Sequence, residues 1–581
     1  MTVCWYTGLA AGCHGRRSVQ HIIIRKERVE MDYNKLADLL FGQVDKTPDY
    51  WENQFPERNL PEGAQVTRMA PSPTGFIHLG NLYSSLADER IAHQSKGVFF
   101  LRIEDTDAKR KVEGAVETII EVLKYFGITF DEGAGIDDPE QNAYGPYFQR
   151  QRVEIYHTYV KDLVQRGLAY PCFCTEEELA EIKEQQTEEK ALTGYHTKWA
   201  KCRDLSYEEI EANIKAGKPY VMRLKSMGSE DKEIIFQDTV KGRIRFPENI
   251  QDIVILKSDG IPTYHFAHAI DDHLMRTTTV VRGEEWLSSV PVHYELFHAL
   301  GFKMPKYVHT AHLMKIDEET GSKRKLSKRK DPELSLDFYR KDGYHPQGVK
   351  VYLMTLLNSN FEQWYDKHPN SPIEEFPYSI KKMAQSGALF DIAKLHDICK
   401  NEFAKLDPQE VFDFLKTWCS TYQPDMMNVY FADDEKFMKV INLCMGIGGK
   451  RRRKDFCYAA QIFESLAMYF DETLVPSYEF SYDKELVKEI LNDYLASYDH
   501  AWNASEWFGA IKAMGEKYGF TGDMKAYKAN PGNYKGNVSH VAEILRIAIT
   551  GSSNSPDLWT INQILGEEVM KKRIENVIAH L

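Results

Sequence analysis

Two short stretches carry much of the chemistry this chain can offer. In the first, Arg68 to Gly80 (R-M-A-P-S-P-T-G-F-I-H-L-G), Pro71 and Pro73 fix φ, Gly75 and Gly80 allow close backbone approach, and His78 sits where a helix should begin. Unpaired N–H groups and the positive end of a helix dipole favour an anion, so the loop reads as a phosphate cradle. In the second, K-R-K-L-S-K-R-K from Lys323 to Lys330, the cations have an internal Lys-apolar-Ser-Lys order that a solvated face does not require. Lys325 and Lys328 are three apart, so at a turn or helix start they project to one side and converge on one anion.

Further candidates flank these stretches. Glu104, Asp105 and Asp107 follow the apolar run G-V-F-F-L-R-I, and a carboxylate such as Glu104 at that position needs a cationic partner, for example an ammonium group. Asp105 or Asp107 can instead cap the next helix. T-T-T-V-V-R-G-E-E-W ends in Arg282, Glu284, Glu285 and Trp286, where an arginine can take a carboxylate in bidentate fashion or pair with Glu284 or Glu285. Cys172, Cys174 and Cys202 are possible zinc ligands, with Asp204 or His196 needed as the fourth. Free buried thiols are the alternative.

The elements that must position these groups follow from patterning. Residues 65–70 read as a strand, 82–96 as a helix ended by Gly97, and G-V-F-F-L-R-I as a buried strand: the opening βαβ unit of a doubly wound nucleotide-binding domain. Residues 171–250 read as an insertion with a charged helix after Cys174 and later strands such as P-Y-V-M-R-L and R-I-R-F. From Ile253 the doubly wound pattern resumes, with D-I-V-I-L-K as a strand and G-I-P-T-Y-H-F-A as a turn and apolar segment. From about residue 391 the patterning is helical, and G-G-K-R-R-R-K-D-F at 448–456 is a compact basic stretch suited to phosphates.

At 581 residues the chain needs about three to five domains. A net charge of -13 does not announce a nucleic-acid partner, yet binding needs a basic face and not a basic sum. No apolar run of ~20 residues implies a membrane span. Nine cysteines without framework spacing point to a reducing, cytoplasmic setting. Residues 1–30 are basic but lack the core and cleavage site of a signal peptide, and Met31 reads as a fresh start before a short amphipathic helix over 32–42 and an irregular arm to Gly63.

His78-Leu79-Gly80-Asn81 resembles the HIGH signature of class I aminoacyl-tRNA synthetases, and Lys325 to Arg329 resembles their KMSKS loop. R-M-A-P-S-P-T-G-x-x-H-x-G, R-I-E-D-T-D at 102–107 and V-V-R-G-E-E-W at 280–286 narrow the resemblance to bacterial glutamyl-tRNA synthetases over roughly residues 65–581, where L-R-I-A-I-T-G-S is similar to that family's last helical domain. The resemblance implies an α/β fold: a Rossmann-type parallel-sheet catalytic domain in two halves (65–170 and 251–310). An inserted α+β acceptor-end domain (171–250), a KMSKS and stem-contact region (311–390) and an all-α anticodon-binding half (391–500 and 501–581) complete it, behind an N-terminal extension (1–64).

It also implies ligation of L-glutamate to tRNA(Glu) through a glutamyl-adenylate, with ATP and Mg²⁺, in a cytoplasmic monomer. His78, Lys325 and Lys328 would be catalytic; Gly80, Asn81, Glu285 and Trp286 would join His78 and Lys328 at ATP. Arg68, Ser72, Glu104, Tyr264, His268 and Arg282 would contact glutamate, His268 standing where many relatives have Asn. Asp107 would lie near the tRNA end, and the charge pattern adds Arg451, Arg452 and Arg453 as tRNA contacts. Some family members hold structural zinc in the insertion; here Asp204 stands where others have His. A glutaminyl-tRNA synthetase is disfavoured by the charge of Arg282, a non-catalytic tRNA-binding relative by the presence of His78, Lys325 and Lys328, and a short tRNA-modifying paralogue by residues 391–581.

Overall fold

A computed structural model describes residues 31–73, 77–107, 112–138, 141–447 and 452–581. The readings placed on residues 1–30, Gly75 and Arg451 lie outside the described residues. The arm begins with α1 (Tyr33–Phe41), capped by the Asp32 side chain on Lys35 N at 3.0 Å, and continues into α2 (Pro48–Gln54), a helix the arm was not expected to contain.

The parallel-sheet domain starts with β1 (Val66–Met69), α3 (Leu79–Gln94), β2 (Val98–Leu101), α4 (Ala115–Tyr125) and β3 (Glu132–Gly133). β1 pairs parallel with β2, Val66 opposite Val98 through Met69 opposite Leu101, and β2 pairs parallel with β3. Gly97 is obligatory at the return, because a Cβ there would lie 1.8 Å from the Gln65 carbonyl. After α5 (Val153–Gln165) the inserted segment opens with β4 (Ala169–Cys172), α6 (Glu176–Glu188), α7 (Tyr207–Lys215) and β5 (Val221–Leu224). A hairpin of β6 (Glu233–Asp238) and β7 (Gly242–Pro247) follows, then β8 (Val254–Leu256).

Two assignments change here. D-I-V-I-L-K does not re-enter the parallel sheet: β8 pairs antiparallel with β5, in the order β4-β5-β8. The apolar segment G-I-P-T-Y-H-F-A is the start of a helix, α8 (Tyr264–Leu274). The sheet resumes with β9 (Thr279–Gly283), α9 (Val290–Leu300) and β10 (Lys306–Thr310). β9 and β10 pair parallel from Thr279 opposite Lys306 to Gly283 opposite Thr310. Val66 N donates to Thr278 Oγ1 at 2.8 Å and Thr278 N to the Val66 carbonyl at 3.0 Å, setting the second half beside β1. The opposite edge of β10 is taken by the insertion, since Asp238 of β6 pairs parallel with Tyr307. Drawn by composition, the boundary at 250 therefore separates two strands that share one sheet.

β11 (Leu313–Ile316) and β12 (Lys323–Lys325) form the antiparallel stem under the basic loop. Beyond residue 390 the chain is mainly helical, from Ile392–Phe403 to Glu567–His580, apart from a two-residue pairing of Phe520–Thr521 with Gly536–Asn537. Its buried apolar side chains form one continuous cluster from Phe403 to Val577, and the boundary expected at 500/501 falls inside it. Among the described residues no helix is long and apolar enough to cross a membrane.

Candidate active site

The loop after β1, the start of α3, the ends of β2 and β9, α8 and the basic loop enclose a cavity of about 630 Å³. Its lining includes Arg68, Ser72, His78, Gly80, Asn81 and Glu104. Asp107, Tyr264, Arg282, Glu285, Trp286, Lys325 and Lys328 complete the expected set on its walls. His268 is absent from the lining.

His78 is the N-cap of α3, its backbone N–H donating to Asn81 Oδ1 at 3.0 Å. At Gly80 an added Cβ would come within 3.0 Å of His78 Nδ1 and Cε1, so glycine there lets the imidazole lie against the first helical turn. Burial, then the charges of Lys328 and Lys325 against that of Glu285, hold His78 down at about 4, so it is a neutral donor at pH 7. Across the cavity Leu326, between the two lysines, is buried and donates its N–H to the Leu313 carbonyl at 3.1 Å. That apolar anchor is the structural reason for the Lys-apolar-Ser-Lys order. Lys325 Nζ stands 3.9 Å from Glu285 Oε2, which also meets His312 at 3.3 Å.

The floor is a charged network centred on α8. Asp272 Oδ1 accepts from Arg68 Nε at 3.2 Å and from Arg102 Nη1 at 2.7 Å, while its Oδ2 lies 3.1 Å from His268 Nδ1. Next to it, Asp271 takes Arg152 Nε at 2.7 Å and the Tyr156 hydroxyl at 2.7 Å. Both carboxylates are buried, and Arg68 and Arg102 keep that of Asp272 below its ordinary value despite burial. His268 is wholly buried, with its ring 5.8 Å from and stacked on Tyr264 and its Nε2 2.9 Å from the Tyr307 hydroxyl. It supports Tyr264 and Asp272 from behind and has no face on the cavity.

Glu104 finds the cationic partner its position demanded in Arg102, 3.1 Å away. Burial still raises its carboxyl above the ordinary value, with Arg102 and Arg68 opposing, so an arriving cation would favour its ionised form. Asp105 turns away and caps a short turn, accepting from Arg150 N at 2.9 Å.

Arg282 differs from Arg68, Arg102 and Arg152, which pair with buried carboxylates. Glu284 pairs with Lys241 and with His312, and Glu285 with His312 and Lys325, so neither takes Arg282. Its guanidinium donates to His309 Nε2 at 3.0 Å, to His293 Nδ1 at 3.1 Å and to the Trp286 carbonyl at 3.2 Å. Among the described residues no carboxylate pairs with this buried cation. His293, His309 and Asp238 were not foreseen; single histidines in apolar helices and strands carry no signal in one sequence.

In the insertion, the three cysteines converge: the sulfur atoms of Cys172, Cys174 and Cys202 lie within 4.8 Å of one another, with Cys174 and Cys202 3.6 Å apart. Two sulfurs bound at about 2.3 Å to a tetrahedral zinc stand about 3.8 Å apart, so the spacing fits. The fourth position expected of Asp204 is not borne by the geometry: its exposed carboxylate pairs with Lys225 at 3.5 Å. His196 is no better, spending Nε2 on the Leu192 carbonyl at 2.9 Å. The group at the thiols is the Tyr195 hydroxyl, 3.3 Å from Cys174 Sγ and accepting from Cys202 N at 2.9 Å. Of the basic stretch, Arg452 is half-buried and exposed Arg453 donates to Asp455 at 2.6 Å, both remote in sequence from the cavity's lining.

A family model described as tRNA synthetases class I (E and Q), catalytic domain, matches residues 65–364, and one described as Anticodon binding domain matches residues 532–578. A glutamate–tRNA ligase of Acetivibrio thermocellus is 53% identical over 551 residues, covering 94% of this chain and 100% of the relative. One from Clostridium perfringens strain 13 is 46% identical over 552 residues with the same coverage. The crystal structure of a glutamate tRNA ligase from Elizabethkingia meningosepticum in complex with its amino acid superposes with TM-score 0.68 at 26% identity, covering 89% of this chain and 99% of that one. With the cavity walled by both signature loops and identity of this extent over nearly the whole length, the chain belongs to the glutamate–tRNA ligase family of class I tRNA synthetases.

Proposed function

We propose that the chain ligates L-glutamate to tRNA(Glu) through a glutamyl-adenylate, releasing pyrophosphate and then AMP. The observation that carries the choice of amino acid is Arg282: a buried cation whose three partners are all neutral. A guanidinium has five N–H donors, so one remains on each terminal nitrogen, the pair that fits a carboxylate in bidentate fashion. A glutamine side chain would leave the charge uncompensated in a dry site.

In this reading Arg282 takes the side-chain carboxylate, Glu104 the ammonium group, and Arg68, Ser72 and Tyr264 the remainder of the amino acid. His268 acts through Tyr264. The α-carboxylate then attacks the α-phosphorus of ATP. Neutral His78 donates to the phosphate, whose negative charge grows at the helix start, while Gly80 and Asn81 shape that start and Glu285 and Trp286 border the nucleotide. Lys325 and Lys328 hold the departing pyrophosphate. Mg²⁺ would supply charge neutralisation between ATP phosphates. In the second step a terminal ribose hydroxyl of the tRNA displaces AMP from the acyl group, with Asp107 at the tRNA end and residues 451–453 on the RNA backbone. Cys172, Cys174, Cys202 and Tyr195 would hold a structural zinc ion. This reading places the chain in the cytoplasm as a monomer.

The test is ATP–pyrophosphate exchange with glutamate or glutamine, with and without tRNA(Glu). Exchange is expected only with glutamate and tRNA together. Exchange driven by glutamine, or none with glutamate and tRNA, overturns the reading.

A further inference from the structure

Arg282 is held by a chain of buried groups that reaches into the inserted segment. Its Nε donates to His309 Nε2 at 3.0 Å; His309 Nδ1 lies 2.6 Å from Asp238 Oδ2, which also faces His309 N at 3.3 Å. Asp238 Oδ1 is fixed by Val240 N at 2.9 Å and Lys241 N at 2.7 Å. Asp238 and His309 are both wholly buried.

This arrangement determines a tautomer. A carboxylate only accepts, so the His309 proton sits on Nδ1, and Nε2 presents a lone pair to Arg282. His293 plays the same part on the other side: Nδ1 accepts from Arg282, and Nε2 faces His265 Nδ1 at 2.9 Å. Burial and the charge of Arg282 push both His293 and His309 below the ordinary imidazole value, in keeping with neutral rings. A carboxylate in either place would grip Arg282 as well, but would cancel its charge. Asp238 stands one imidazole further away and orients without neutralising.

We propose that Asp238 and His309 are positioning residues for amino-acid selection: a neutral, tautomer-locked imidazole aims the Arg282 guanidinium and leaves its charge for the side-chain carboxylate of the substrate. The proposal rests on the reading above that glutamate is the amino acid. It gives the insertion a role inside the amino-acid pocket, through β6, the strand it sets against β10.

The test uses the full chain with tRNA(Glu) and compares His309→Leu, His309→Gln and Asp238→Asn in pyrophosphate exchange. Leucine removes the acceptor; glutamine places an amide oxygen near the position of Nε2. Asparagine at 238 must turn its amide nitrogen either toward His309, moving the proton to the side of Arg282, or toward the two turn N–H groups. Expected are a rise of about tenfold or more in the glutamate KM for His309→Leu with the ATP KM within about twofold, and recovery to within about threefold of wild type in His309→Gln. Asp238→Asn should lower the glutamate-over-glutamine ratio of kcat/KM by about tenfold. The proposal is overturned if His309→Leu leaves the glutamate KM unchanged, if glutamine is no better than leucine, or if glutamate and ATP KM rise together with a lower Tm. Should leucine prevent folding, His309→Gln and Asp238→Asn decide by the same selectivity ratio. A wild-type chain that activates no glutamate with tRNA overturns the functional reading instead.

Discussion

Asp331 grips Arg324 in a two-bond fork, Nη1 to Oδ2 at 2.6 Å and Nη2 to Oδ1 at 2.8 Å, and the residues between them are the loop that carries Lys325 and Lys328. Ser327 N donates to the same carboxylate at 2.8 Å, so one side chain closes the loop at both ends.

Removing that closure should loosen the loop without unfolding the sheet. Asp331→Ala is expected to lower turnover and raise the ATP KM by about tenfold, the scale of losing a charge-assisted pair. Kinetics, with amide exchange over residues 323–331, check it. Unchanged ATP kinetics would refute the link. The pairing, led by the hydrogen bond from Arg324, holds Asp331 at about 2, below the ~3.9 of an unfolded chain. A depressed carboxyl contributes stability above the unfolded value that is lost as pH falls, here between about 4 and 2. Acid unfolding of Asp331→Asn should lack that part of the slope.

His78, held at about 4, should contribute no inflection near pH 6.5 to the turnover profile. Because Lys328 lowers it by charge repulsion, Lys328→Ala should move the His78 titration upward when followed by NMR. Turnover should drop strongly while tRNA affinity stays nearly intact; equal losses would mean that the lysine chiefly grips RNA.

Gly80→Ala separates helix stability from site geometry. Alanine favours a helix by up to about 1 kcal/mol over glycine, yet its Cβ would crowd His78 at 3.0 Å. Turnover is expected to fall at unchanged or higher Tm. Wild-type turnover would show that the imidazole does not need that place.

Metal analysis tests the thiol cluster. About one zinc per chain is expected, lost in Cys174→Ser, weakened in Tyr195→Phe and unchanged in Asp204→Ala. Retention by Cys174→Ser, or loss through Asp204, would contradict the placement of Tyr195.

The two signature loops were legible because their chemistry depends on local order: prolines, glycines and a helix-start histidine in one, a buried leucine between lysines in the other. Arg282 was legible as a cation at a strand end. Its surroundings were not, because His293 and His309 come from separate elements and Asp238 from a strand placed outside the catalytic domain. Asp204 was offered as the fourth group because it neighbours Cys202 in sequence, whereas its carboxylate meets Lys225. Tyr195, whose hydroxyl reaches Cys174, was not singled out in the sequence. β6 was assigned to the insertion by continuity of chain, whereas hydrogen bonding gives it to the sheet of β10.

The arm before residue 65 has a consequence for any shortened form of the chain. The family model begins at residue 65, yet α1 and α2 bury Leu36, Leu40, Phe41, Trp51 and Phe55, with Trp51 Nε1 on Thr158 Oγ1 at 3.1 Å. Arg58 joins the two halves of the sheet, donating to Glu132 and to the Met275 carbonyl at the end of α8. A catalytic fragment cut where the family model starts would bare an oily strip along α5 and free the far end of the helix that carries Tyr264 and Asp272. A shortened form that keeps this packing therefore retains Asp32, which caps the arm's first helix.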